Sequence, residues 1–219
     1  PEQFIPATGV VDKEGRPALW EVCLTMTTGH GSFAPTAWWG YDRHETVFKP
    51  ADQLIQTLVD VVSKGGNLLL NVGPAPEGVI RPEESERLAA VGRWMERHAE
   101  AIYETQASPF RLLPFFGRAT RQGKLLYVHV FDWPQDRQLV LPGLKDAPLE
   151  AYMLEDPDLR VGFSRQPQGA TQTIVLQLPP RPTDPVASVV VLLQVTQGRR
   201  RSQPFGPSIE KVRGLQKGV

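Results

Sequence analysis

The sequence predicts a fold of two parts, an α/β region followed by an antiparallel β-sandwich. Up to residue 107, runs with helical periodicity alternate with a continuously apolar strand, which is the order of elements in an α/β layer. Beyond residue 108, apolar residues recur at every second position in short runs separated by Gly, Pro and Asp. Short strands at this spacing, without helices between them, indicate an antiparallel sandwich.

The α/β region begins with a predicted strand and a predicted helix. The run Trp20–Met26 has the length and composition of a strand. Apolar residues at helical spacing then predict a helix over 51–63, which starts after Pro50 and stops at Gly65-Gly66. The expected apolar face of this helix consists of Leu54, Ile55, Leu58, Val59 and Val62.

The next predicted strand, Asn67–Val72, contains three consecutive leucines and shows little alternation. A strand of this kind is covered on both faces, by two helix layers or within a closed barrel. We therefore expect Leu68–Leu70 to be buried. Because a buried amide without a partner is costly, we expect Asn67 and Asn71 to hydrogen-bond loop backbone rather than take part in catalysis.

A second helix is predicted to begin near Pro82, after a loop rich in Pro and Gly. Glu83, Glu84 and Glu86 fall in its first turns, where acidic groups suit the positive end of the helix dipole. The expected apolar stripe of this helix consists of Leu88, Val91, Met95 and Ile102.

Five candidate strands are predicted for the sandwich. We divide the chain into residues 1–107 (α/β region), 108–196 (sandwich) and 197–219 (a basic tail without apolar periodicity, expected to be disordered). The candidate strands are 124–131, 138–141, 149–154, 172–178 and 188–195.

Charge and composition exclude several classes of protein. Lys plus Arg and Asp plus Glu are equal at 24 each, so no net field attracts nucleic acid or an anionic membrane, and a small or neutral partner is expected. The single cysteine, Cys23, excludes an internal disulfide framework. No window is apolar enough to span a bilayer. The chain opens with Pro1-Glu2-Gln3, which we interpret as part of a longer polypeptide.

Three segments carry a resemblance to a known family. They are WEVCLTM (20–26), WWGYDRHE (38–45) and the long run from Ala51 to Thr105. Read in this order, they resemble the C-terminal half of α-L-fucosidases of glycoside hydrolase family 29. The resemblance implies that residues 1–107 are the C-terminal part of a catalytic (β/α)8-like barrel, followed by the β-sandwich. It also implies an exo-acting retaining glycosidase whose aspartate nucleophile precedes this chain, with no cofactor.

The resemblance implies one catalytic carboxyl group within the chain. A retaining glycosidase needs two carboxyl groups, one that attacks the anomeric carbon and one that acts as general acid and base. The opening segment Pro1–Pro6 is similar to the family segment that holds the acid/base, which assigns that role to Glu2. A carboxyl group beside the nucleophile has the raised pKa that the role requires. Glu21 is the second choice.

Aromatic residues suggest a sugar-binding wall. The apolar face of fucose packs well on an indole ring, and the resemblance places Trp39 at the wall of the sugar pocket. Trp38 is a candidate by adjacency, with packing in the loop core as the alternative. His30, in the preceding loop, is a candidate for contact with a sugar beyond the fucose, or is simply solvated.

Several alternatives stay open. The histidines lack metal-ligand spacing with Cys or carboxylates, so no metal site is predicted.

The chain is expected to act on a fucosylated oligosaccharide or glycoconjugate together with the N-terminal part of the same enzyme. We expect α-1,3/1,4 linkages to be favoured and the location to be secreted or periplasmic. The alternative function is a non-catalytic carbohydrate-binding or degenerate fragment of such an enzyme.

Overall fold

The computed structural model describes residues 5–28 and 39–194. Within these ranges it contains ten strands, two α-helices and one 3₁₀ turn, Ala99–Ala101. The strands form three sheets: one of two strands, one of five and one of three. The predicted fold class is confirmed, since an α/β part is followed by an antiparallel sandwich.

The α/β part follows the predicted order of strand, helix, strand and helix. Strand β1 (Trp20–Thr25) pairs in parallel with β2 (Gly66–Asn71), and helix α1 (Ala51–Ser63) lies between them in the chain. Gly66 is opposite Trp20 in this register, and a Cβ on Gly66 would approach the Trp20 indole to 2.4 Å. Gly66, one of the two glycines that end the helix pattern, is therefore also required for β2 to pair with β1 next to the Trp20 indole.

The expectation that all three leucines of β2 are buried is wrong. Leu68 packs with the cluster around Val22 and Val61, and Leu70 packs near Met26, whereas Leu69 is 44% exposed. Successive side chains of a strand point to opposite faces, and in the described residues the helices cover only the face that carries Leu68 and Leu70.

Helix α2 (Pro82–His98) differs from its prediction in which residues it buries. Leu88 is exposed, and Trp94 is instead the buried apolar anchor of the helix. Ile102 is buried but lies beyond the 3₁₀ turn that follows α2. His98, the last residue of the helix, is 0% exposed. The sandwich covers α2 on the side that carries Trp94 and His98. The apolar pattern of the helix sequence alone does not show this contact.

The sandwich consists of eight antiparallel strands. One sheet has the order β3-β4-β10-β6-β7 and the other β5-β9-β8, and buried side chains from both form one core. The five predicted strands correspond to β4, β5, β6, β9 and β10. The bounds are β3 Gly117–Gln122, β4 Leu125–Val130, β5 Gln138–Leu144, β6 Pro148–Met153, β7 Asp156–Arg160, β8 Gly162–Gln168, β9 Thr171–Gln177 and β10 Ser188–Gln194.

Three strands were not predicted, and all three lie at sheet edges. Strands β3, β7 and β8 each pair with only one other strand, and their sequences GRATRQ, DPDLR and GFSRQPQ are rich in polar residues. Edge strands carry polar and charged side chains that discourage further pairing. The apolar alternation that predicts a strand is therefore weakest in these segments.

The two parts share a buried interface. Trp94 and Ile102 pack in one cluster with Ile55, Val59 and Ala187. Beside this cluster, His98 Nε2 lies 2.6 Å from Glu155 Oε1, between α2 and the end of β6. Arg97 pairs with Asp184, and Arg118 of β3 pairs with Asp60 of α1. The boundary between residues 107 and 108 stays a prediction. Neither described α-helix is long and apolar enough to cross a membrane.

Candidate active site

The carboxyl ends of β1 and β2 define the edge of the sheet where a site is expected. The strands are parallel and end at Thr25 and Asn71, which are paired in the register. In barrels built from parallel strands, catalytic and binding residues lie at the carboxyl ends, on the loops that follow the strands. At this edge, residues 39–45 lie against the end of β2 and the start of α2.

A small cavity separates these elements. The space is about 10 Å³, which is room for about one water molecule and far too little for a sugar ring. The residues that line the cavity therefore support the site, and a sugar would bind outside the cavity. It is lined by Thr25, Met26, Thr27, Gly40, Tyr41, Asp42, Glu45, Asn71, Gly73, Arg81 and Glu84.

The end of β2 holds the start of the 39–45 segment. Asn71 Nδ2 donates a hydrogen bond to the carbonyl oxygen of Trp39 at 2.7 Å, which confirms the expectation that Asn71 bonds loop backbone. A Cβ on Gly73 would lie 2.8 Å from the carbonyl of Gly40, so only glycine allows the two backbones to approach this closely. Asn67, at the other end of β2, is exposed.

Arg81, the residue that precedes helix α2, holds the other end of the segment. Its Nη1 donates to the carbonyl oxygens of Asp42 at 3.2 Å and Glu45 at 3.0 Å. Its guanidinium carbon lies 4.6 Å from the ring centre of Phe48 and 5.6 Å from that of Tyr41. One side chain therefore fixes two carbonyl groups and two aromatic rings.

Glu84 supports the turn that follows β2. It is 3% exposed, and its Oε1 accepts a hydrogen bond from the Gly73 amide at 3.1 Å. Its Oε2 is buried and has no hydrogen-bond partner among the described residues. The sequence pattern predicted Glu84 only as an acidic residue near the start of a helix. Its role in bracing the Gly73 turn depends on a loop contact that helix periodicity cannot indicate.

Of the predicted site residues, the structure describes Trp39 and Glu21, and it places them at different levels of the sheet. Trp39 is half-buried at the edge formed by the carboxyl ends of the strands, next to the cavity-lining Gly40. Glu21 is exposed and is the second residue of β1, about 13 Å of strand from the carboxyl end at ~3.3 Å per residue. Glu2, His30 and Trp38 lie outside the described residues.

Titratable groups with strongly shifted pKa values lie in the sandwich. Burial lowers the pKa of His129 to about 3, and the neighbouring His98 adds to this effect. Burial, followed by the charge of Glu100, raises the pKa of Tyr127 well above its ordinary range. Neither residue lines the cavity at the strand ends. Over residues 5–28 and 39–194, no group of three or more His, Cys, Asp or Glu side chains is arranged to hold a metal ion.

The sequence matches known proteins over most of its length. Residues 7–100 match the family model of α-L-fucosidase. Tissue α-L-fucosidase from Rattus norvegicus is 31% identical over 79% of this chain and 36% of its own length. Plasma α-L-fucosidase from Homo sapiens is 34% identical over 57% of this chain and 26% of its own length. The chain thus spans about a quarter to a third of the length of the curated relatives that it matches.

Solved structures agree with the sequence matches. α-L-fucosidase isoenzyme 1 from Paenibacillus thiaminolyticus has a TM-score of 0.76 and 32% identity, covering 89% of this chain and 44% of its own. The Thermotoga maritima α-fucosidase in complex with a mechanism-based inhibitor has a TM-score of 0.68 and 27% identity, covering 88% and 42%. In sequence and in fold, the chain belongs to the α-L-fucosidase family, glycoside hydrolase family 29.

Proposed function

We propose that the chain forms part of an exo-acting retaining α-L-fucosidase that removes terminal α-L-fucosyl groups from glycans. One observation carries the proposal: the segment that includes Trp39 is held at the carboxyl ends of β1 and β2, in a chain 32% identical to a solved α-L-fucosidase. In parallel barrels this end carries the chemistry.

The proposed reaction is a double displacement. Glu2 gives its proton to the glycosidic oxygen while an aspartate upstream of this chain attacks the anomeric carbon, and the aglycone leaves as an alcohol. The ionised Glu2 then takes a proton from water, which displaces the aspartate and releases fucose with its anomeric configuration retained. Glu21 remains the second choice for the acid/base. It lies near the amino end of β1, away from the carboxyl end where the site is expected, and this position favours Glu2 for the role.

The proposed sugar pocket includes the Trp39 indole as one wall, against which the apolar face of fucose packs. The hydrogen bond from Asn71 to the Trp39 backbone supports this assignment, because it fixes the chain next to the ring. Trp38 and His30 are proposed as neighbouring contacts, His30 for a sugar beyond the fucose. The 39–45 segment is held by the Asn71 amide, by the close approach of Gly73 to Gly40 and by Arg81. The proposal includes no metal.

The proposed substrate is a fucosylated oligosaccharide or glycoconjugate, with α-1,3/1,4 linkages favoured, and the proposed partner is the N-terminal part of the same enzyme. Secretion or a periplasmic location is proposed with this activity. The second candidate function is carbohydrate binding without hydrolysis. It is favoured only if the nucleophilic aspartate is absent from the complete protein, since hydrolysis with retention requires both carboxyl groups.

The proposal is tested by incubating the full-length protein with a panel of fucosylated oligosaccharides and following the products by proton NMR. We expect release of α-L-fucose first, with β-L-fucose appearing only through mutarotation, and faster cleavage of α-1,3/1,4 linkages. Initial release of β-L-fucose contradicts retention. Binding of the panel without release of fucose supports the non-catalytic alternative.

A further inference from the structure

We propose that Arg81 is a positioning residue for the sugar site, which fixes the backbone segment that carries Trp39. This inference rests on the proposed function, because it takes Trp39 as a wall of the fucose pocket. Arg81 itself is not proposed to touch the sugar. It acts through residues 39–45, whose backbone and Tyr41 ring it contacts.

The segment ends in a tight turn, residues 42–45, whose first and last residues contact Arg81. Within the turn, the Glu45 amide donates to the carbonyl oxygen of Asp42 at 3.1 Å, and the His44 amide donates to Asp42 Oδ1 at 2.9 Å. Arg81 Nη1 bonds the Asp42 and Glu45 carbonyl oxygens, at the two ends of the turn. The guanidinium therefore joins both ends of the turn to the start of α2.

The remaining contacts anchor the segment at its other end. Asn71 holds the Trp39 carbonyl, and the Gly73 backbone packs on Gly40. With Arg81 at Asp42 and Glu45, the segment that begins at Trp39 is fixed at both ends by the end of β2 and the β2–α2 connection. A displacement of about 1 Å in a substrate-positioning group is enough to slow an enzyme substantially.

Arginine is required for this arrangement by its shape. The planar guanidinium lies over the Phe48 ring at 4.6 Å while one of its nitrogens donates to two carbonyl groups. A lysine ammonium is a compact charge on a flexible stem, and it does not combine stacking with a fixed fork of donors. The lysine variant is therefore expected to retain the charge but to hold the turn less firmly.

Arg87, within helix α2, provides a matched control for Arg81. Its Nε donates to the Lys49 carbonyl oxygen at 2.7 Å, and its guanidinium carbon lies 5.2 Å from the Phe48 ring centre. It thus shares with Arg81 the residue type, the contact with the Phe48 ring and a hydrogen bond to a carbonyl oxygen. It differs in that these contacts, and its hydrogen bond to the Glu83 carbonyl oxygen, lie outside residues 39–45.

The first test is hydrogen exchange of the full-length protein, read by mass spectrometry over peptides covering residues 39–47. For Arg81→Ala we expect these amides to exchange at least about tenfold faster than in the wild type, because the turn loses both carbonyl contacts. Arg81→Lys is expected to exchange at a rate between those of the wild type and Arg81→Ala. Arg87→Ala is expected to exchange at the wild-type rate. Unchanged exchange in Arg81→Ala, or equal acceleration in both alanine variants, overturns the proposal.

The second test is steady-state kinetics on an activated α-L-fucoside. We expect Arg81→Ala to raise KM about tenfold with a smaller change in kcat, since the pocket wall is misplaced while the carboxyl groups remain. Arg87→Ala is expected to leave both constants near wild type. Faster exchange with an unchanged KM overturns the positioning role. If the wild type itself releases no fucose, the proposed function fails, and hydrogen exchange still decides whether Arg81 holds the turn.

Discussion

Asn71 donates a hydrogen bond from Nδ2 to the carbonyl oxygen of Trp39 across 2.7 Å. The contact joins the last residue of β2 to the segment that carries the proposed sugar-binding indole. Because of this contact, the position of the segment depends on the position of the end of β2. A shift of this strand end therefore also shifts the segment. The first prediction follows from this contact.

We expect Asn71→Asp to lower the free energy of unfolding by about 1–3 kcal/mol and to raise KM for a fucoside, because the new carboxylate has no proton to donate and faces the Trp39 carbonyl. Denaturant titration and steady-state kinetics measure the two effects. Asn67→Asp, on the exposed residue at the other end of the same strand, is the control and is expected to change stability by less than about 0.5 kcal/mol. Equal losses in the two variants contradict a specific role for the Asn71 amide.

Gly73→Ala is expected to destabilise the protein, because the added Cβ lies 2.8 Å from the Gly40 carbonyl group and the neighbouring backbone must move. Gly92→Ala is the matched change within α2, where a Cβ meets nothing within 4 Å. It is expected to stabilise the helix by about 0.5–1 kcal/mol. Thermal unfolding of both variants checks the opposite signs. A Tm for Gly73→Ala at or above that of the wild type contradicts the close approach.

The interface between α2 and the sandwich is expected to depend on Glu155. Its side chain is 4% exposed and accepts hydrogen bonds from the Val189 amide and the Thr183 hydroxyl, while its Oε1 lies 2.6 Å from His98 Nε2. Removing it leaves these buried groups without their acceptor, so we expect Glu155→Ala to cost at least about 3 kcal/mol of unfolding free energy.

The control for Glu155 is Glu150→Ala, which removes an exposed ion pair with Arg160. Pairs of this kind contribute about 0–1 kcal/mol, so the control is expected to unfold near the wild-type denaturant midpoint. If Glu155→Ala is as stable as Glu150→Ala, the buried network does not hold the two parts together.

Stability is expected to fall in acid because of His129. Burial holds the pKa of this imidazole at about 3, below its ordinary value of 6.5. Between these values the unfolded chain binds a proton that the folded protein does not, so the free energy of unfolding decreases as the pH falls from about 6.5 towards 3, by up to about 1.4 kcal/mol per pH unit. Above pH 6.5 the contribution is complete.

His129→Gln removes the titrating group and keeps a polar side chain near Thr120, whose hydroxyl lies 3.2 Å from His129 Nε2. We expect the variant to have a flatter dependence of Tm on pH between about 4 and 6.5 than the wild type. Parallel curves for the two proteins show that other groups control the acid sensitivity.

Much of the fold was predictable because it follows from local pattern. Helix α1 has strong helical periodicity, with a clear start signal at Pro50 and a clear stop signal at Gly65-Gly66, and β2 is a continuous apolar run. Burial was less predictable, since Leu69 and His98 depend on what packs against their elements. The contacts of Arg81 and Glu84 were missed for the same reason. They join residues 11 to 39 positions apart through a turn that periodicity does not describe.

The assignment of Glu2 as acid/base is tested most directly with Glu2→Gln in the full-length protein, using fucosides with a poor and an activated leaving group. We expect the variant to cleave the poor leaving group much more slowly, by a factor within about 10²–10⁴, and the activated one only slightly more slowly than the wild type. Glu21→Gln is expected to cleave both at near wild-type rates. Equal slowing of both substrates in Glu2→Gln, or the leaving-group effect in Glu21→Gln instead, contradicts the assignment.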